Sequence, residues 1–85
     1  MREIYLSDYD IAAVKYIYNN YNKNVLFKMP NEDLHMLIYE ECNILSEENE
    51  KLKYGTIGKN YDCNVNSELV FCYISKERDE YNATH

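Results

Sequence analysis

The sequence predicts an α+β fold: one small domain, residues 1–85, with two helices at about 8–21 and 31–54 and a short antiparallel hairpin at about 60–75. Three observations carry that expectation. Two segments place apolar residues at the three- and four-residue spacing of a helix with one buried face. A third, Leu69-Val70-Phe71-Cys72-Tyr73-Ile74, is dense in strand-forming residues. Eighty-five residues allow one domain with a modest core. The alternative architecture is a three-helix, all-α bundle.

Ile4 to Leu6 reads as a short strand. Ser7 is a good helix N-cap, and Asp10, three residues on, completes a capping box. Ile11, Val14, Ile17, Tyr18 and Tyr21 then mark the inner face of the first helix. Asn19, Asn20, Asn22 and Asn24 end it, since Asn tolerates turn conformations. Val25 to Met29 is a brief apolar run that suits a strand and stops at Pro30. Asn31 caps the second helix, with Glu32 and Asp33 in its first turn. Leu34, Leu37, Ile38, Leu45 and Leu52 keep helical spacing, so the helix runs either unbroken to Tyr54 and stops at Gly55, or breaks where Ser46 caps a fresh segment.

The last third supports two readings. Tyr61, Cys63 and Val65 alternate, residues 64–67 are turn-like, and the run 69–74 follows, as in a hairpin. Equally, Ser67-Glu68 can start a helix whose face holds Val70, Tyr73, Ile74 and Tyr81. The polar stretch from Glu77 to His85 is expected to fray.

Charge is the strongest functional signal. The chain carries a net −6, and residues 31–50 alone carry −7, with no Lys or Arg among them. Residues 1–30 sum to +1 and residues 51–85 to zero. On a helix, Asp33, Glu40 and Glu47 fall in one row, seven residues or about 10.5 Å apart. Glu32 and Glu50 flank that row, and Glu41 and Glu48 sit nearer the apolar stripe. Such a face either docks on a basic groove or is simply solvated. It repels nucleic acid, and the scattered lysines (Lys15, Lys23 and Lys28 as one small spot) form no patch for a phosphate backbone.

Ten Tyr, two Phe and no Trp give an aromatic set suited to interfaces, or simply the codon usage of an AT-rich genome. Tyr39 lies beside the acidic row and is a candidate anchor. The expected partner-binding residues are therefore Glu32, Asp33, Tyr39, Glu40, Glu47 and Glu50. The alternative is an adaptor that uses a Tyr-rich apolar surface, as a homodimer or on another partner.

Motifs for catalysis and cofactors are weak, and the expectation is a non-enzyme with neither metal nor cofactor. Glu32-x-x-His35 has the spacing of di-iron carboxylate helices, but such sites need a second copy and two further carboxylates. The chain holds two His, and Cys42 lies seven residues beyond His35, too far for a nucleophile and base in contact. Cys42, Cys63 and Cys72 are read as reduced core residues, an odd set without C-x-x-C spacing. The N-terminus lacks the apolar stretch of a signal peptide, and no run reaches the roughly 18 apolar residues of a membrane span, so a cytoplasmic location is expected.

In size and charge, though through no specific motif, the chain is similar to small acidic inhibitors carried by bacteriophages and mobile elements, including anti-CRISPR proteins and DNA mimics. That resemblance implies a host nucleic-acid-binding protein with a basic groove as the partner, met in the host cytoplasm.

Overall fold

A computed structural model describes residues 4–54 and 65–84, and the side chains of all of these except 50–54. The described residues form four helices: α1 (Asp8–Asn20), α2 (Lys23–Leu26), α3 (Asn31–Tyr54) and α4 (Ser67–Thr84). No strand occurs among them, which corrects the α+β expectation in favour of a small all-helical domain. The long helices α1, α3 and α4 pack against one another in all three pairings. The single turn of α2 links α1 to α3.

α1 begins as its sequence dictates. Ser7 Oγ accepts the Asp10 amide at 3.2 Å, and Asp10 Oδ2 accepts the Ser7 amide at 3.3 Å, closing the capping box. Ala13, Val14 and Ile17 are its buried residues besides Asp10. Ile11, expected on that inner face, is 40% exposed. The Tyr21 amide still reaches the Ile17 carbonyl, and Asn22 then caps α2 by accepting the Asn24 amide at 2.7 Å.

Residues 25–29 are helical turn rather than strand. Leu26 and Phe27 are buried, which a turn of helix achieves with two adjacent side chains entering the core. Ile4 to Leu6 has no regular structure either, although Leu6 packs at the core's edge.

α3 runs through to Tyr54 unbroken. Its first intrahelical bond comes from the Leu34 amide to the Pro30 carbonyl, so Pro30 stands at the cap where Asn31 was expected. Ser46 caps nothing: its hydroxyl accepts the Val65 amide at 2.8 Å and ties the approach to α4 onto α3. Leu34, Ile38 and Cys42 face the core at four-residue intervals, all but Cys42 wholly buried and that one at 1%. The expected stop at Gly55 and the first part of the expected hairpin, 60–64, lie outside the described residues, as does the side chain of Leu52.

α4 overturns the hairpin. Asn66 caps it, its Oδ1 accepting the Leu69 amide at 3.2 Å and its carbonyl accepting the Val70 amide. Val70 and Ile74 are wholly buried, four residues apart, with Tyr73 and Tyr81 packed beside them. The strand formers here fill a helix face because two helices are waiting to cover it; propensity yields to packing. The helix also continues to Thr84 instead of fraying after Glu77. Tyr81 is one reason: its ring lies 5.3 Å from that of Phe27, and its hydroxyl donates to Asn24 Oδ1 at 3.0 Å.

Candidate functional site

α3 has two faces, and its outer one is where the sequence placed the site. Glu32, Asp33, Glu40, Glu47 and Glu48 are exposed, and so are Met36, Tyr39 and Ile44. Helical spacing explains the grouping. Opposite the stripe of Leu34, Ile38 and Cys42, positions 33, 36, 40 and 47 fall within about 60° of one another at 100° per residue. The structure therefore brings together Glu32, Asp33, Tyr39, Glu40 and Glu47 on one helix surface. Glu50 belongs to the same helix, and its side chain lies outside the described residues.

These carboxylates are not holding the fold together. Among the described residues Arg78 pairs with Asp79 and the His35 ring lies within hydrogen-bond distance of Glu68, and neither contact uses α3's outer acids. Glu41 is the exception on α3, being half-buried and accepting the Tyr21 hydroxyl at 2.9 Å. That bond raises the Tyr21 hydroxyl's pKa, with burial and the nearby carboxylate charge adding to it. Glu32 and Asp33 do have a local role, since they sit in the first turn of α3 where the helix dipole favours negative charge. Glu40 and Glu47 lie beyond the reach of that effect.

Sequence reasoning missed Met36. The residue is 61% exposed, between Glu32 and Asp33 on one side and Glu40 on the other. Together with His35, Tyr39 and Glu40 it lines an open groove of about 220 Å³. Its signal was available: Met36 falls off the apolar stripe by the same wheel that isolates the acids. His35 closes the groove toward α4. Its Nε2 lies 3.2 Å from Glu68 Oε1, and its ring meets Phe71 edge-on at 4.9 Å. His35 thus packs onto α4 while Glu32 stays exposed, and the described residues contain no group of three His, Cys, Asp or Glu side chains placed to hold a metal.

Two of the chain's cations lie away from this groove. Lys15 and Lys23, with Leu6, Ile11, Tyr18 and Glu77, line a second cleft of about 240 Å³ between α1 and α4. Lys23 Nζ sits 4.7 Å above the Tyr18 ring, and the Tyr18 hydroxyl donates to Glu77 at 2.5 Å. Burial first, then that carboxylate, drives the Tyr18 pKa strongly upward. Lys28 is exposed on the turn after α2.

The cysteines divide. Cys42 is buried, and its thiol is pushed up to about 12 by burial, with the charges of Asp10 and Glu41 contributing. A thiol so held keeps its proton and is no nucleophile at neutral pH. Cys72 is exposed on α4, which corrects its placement in the core; Cys63 lies outside the described residues.

No helix among the described residues is long and apolar enough to cross a membrane. No protein-family model matches the chain, and comparison with curated proteins and with solved structures finds no significant relative of either kind.

Proposed function

We propose that this chain is a non-catalytic, protein-binding inhibitor whose α3 outer face occupies a basic, nucleic-acid-binding groove of another protein. The observation that carries the reading is the composition of that face: Asp33, Glu40 and Glu47 in a row, flanked by Glu32, and without a cation partner among the described residues. A helix that only had to be soluble would mix both signs. A surface of one sign raises the encounter rate with a surface of the other and discourages wrong partners. Lys15 and Lys23 line a cleft that includes no described residue of α3, so these two cations lie away from the outer acids. The size and charge it shares with phage and mobile-element inhibitors point the same way, to a host protein as the target.

The test is a tagged pull-down from the lysate of an AT-rich bacterium, beside the Asp33→Lys/Glu40→Lys/Glu47→Lys variant. Wild type is expected to capture a nucleic-acid-binding protein that the variant leaves behind. The captured protein should lose its DNA or RNA as this chain is titrated in, and the complex should weaken steeply with salt. A complex indifferent to both about 0.5 M salt and the triple reversal would overturn the reading. It would favour the adaptor alternative, for which the exposed Met36, Tyr39 and Ile44 are the supporting observation.

A further inference from the structure

Resting on the reading above, we infer that the Met36–Tyr39 groove receives one apolar side chain from a basic segment of the partner. The acids alone describe a surface that recognises any cation. The groove adds a shape. It is lined by His35, Met36, Tyr39 and Glu40 and offers about 220 Å³ open to solvent, the volume of roughly seven waters at ~30 Å³ each. That is room for one large side chain and falls short of the ~300–1,000 Å³ of a small-molecule site. Its apolar walls are Met and Tyr, both enriched at protein interfaces, Met because it is flexible and polarisable, Tyr because it is rigid and amphipathic.

Charge complementarity selects the occupant. Glu32 and Asp33 lie about one turn before Met36, and Glu40 and Glu47 follow Tyr39 at one and eight residues. Along the helix axis the groove is thus bracketed by carboxylates at about 5 Å on one side and out to about 12 Å on the other. The matching segment carries Lys or Arg on both sides of a central Leu, Met or Phe. A second copy of this chain is the wrong occupant for an in-register contact, because it would set like charges against each other. Nucleic acid is wrong for the same reason. The two features divide the labour: the acids set the association rate and its salt dependence, and the groove sets the dissociation rate and the choice of sequence.

Two synthetic helical peptides of equal length and equal Lys content, one with a central Leu and one with Ser in its place, test this against the full chain. The Leu peptide should bind wild type about tenfold more tightly than the Ser peptide at low salt. It should also shift the Met36 methyl resonance. In the Met36→Ala/Tyr39→Ala variant the tenfold preference should vanish while the salt dependence persists; both residues are exposed, and circular dichroism checks that the helices remain. Equal binding of the two peptides to wild type overturns the inference and leaves the acidic-face reading standing, as does a preference retained in the double variant. Failure of both peptides to bind removes the acidic-face reading and this inference with it. Concentration-dependent self-association that buries the Met36 methyl also overturns it, in favour of a second copy.

Discussion

α3 and α4 are long helices of one bundle, yet they use their charges in opposite ways. On α4, Glu68 lies against His35, Glu77 accepts the Tyr18 hydroxyl, and Asp79 accepts from Arg78. Arg78 also reaches Ser75 at 3.1 Å and Asn31 at the start of α3. On α3, Glu41 alone is engaged in this way, while Glu32, Asp33, Glu40, Glu47 and Glu48 make no hydrogen bond or ion pair with a described residue. The acidity of the protein is therefore not a uniform property of its surface. On α4, Glu68, Glu77, Arg78 and Asp79 have partners within the fold and Glu80 stays exposed, whereas on α3 every described acid of the outer face lacks a partner among the described residues.

Both helices anchor the core. Ile38 and Ile74 are both fully buried, so Ile38→Ala and Ile74→Ala should each cost about 2–5 kcal/mol, a large share of a small domain's stability. Urea unfolding followed at 222 nm measures it, and a much smaller loss at one position would show that only the other helix anchors the core. Alkaline pH should act on α3's inner face next. Cys42 titrates at about 12 in the folded chain against 9.0 when free. The fold thus keeps a proton that the unfolded chain releases, and the stability this group contributes is whole below pH 9 and lost as pH rises toward 12. Tyr18, Tyr21 and Tyr73 shift in the same direction and steepen the same decline. Stability at stepped pH values should show the fall shrink in Cys42→Ala relative to that variant's own neutral value.

Asp10→Ala should cost about 1–3 kcal/mol, since it leaves the Ser7 and Asn66 amides without their acceptor. Hydrogen exchange should quicken in the first turns of both α1 and α4. The decisive pair comes last and is the smallest. Glu77→Gln should cost about 1 kcal/mol through the Tyr18 hydroxyl, while Glu40→Gln should change stability by no more than about 0.5 kcal/mol. Equal losses in the two would erase the distinction between the helices.

Much of this was legible in the residues. Ser7 and Asp10 announced the start of α1, and the acidic first turn and the leucine spacing marked α3, although a break at Ser46 stayed open until Ser46 was seen to hold Val65. The outward placement of Asp33, Glu40 and Glu47 needed only a period of 3.6. The run Leu69–Ile74 did not yield, because a stretch of branched and aromatic residues satisfies a strand and a buried helix equally until its neighbours are known. Val25 to Met29 misled for the same reason on a smaller scale. Met36 was overlooked because a lone exposed apolar residue is ordinary, and only its adjacency to Tyr39 and His35 gives it a shape.

Asp10 has a consequence for the order in which the chain assembles. The residue is 3% exposed, and its carboxylate holds the Asn66 amide at 2.8 Å, fifty-six residues downstream. The N-terminus of α1 can form its local capping box as soon as it is made, but the second carboxylate oxygen waits for α4. Until that helix arrives, an anion in the core's edge lacks one of its donors, and the loop that must close is most of the chain. A nascent chain ending before residue 66 would therefore hold its first helix only loosely. Docking of the last helix completes the cap of the first, which ties the two ends of the sequence into one cooperative unit.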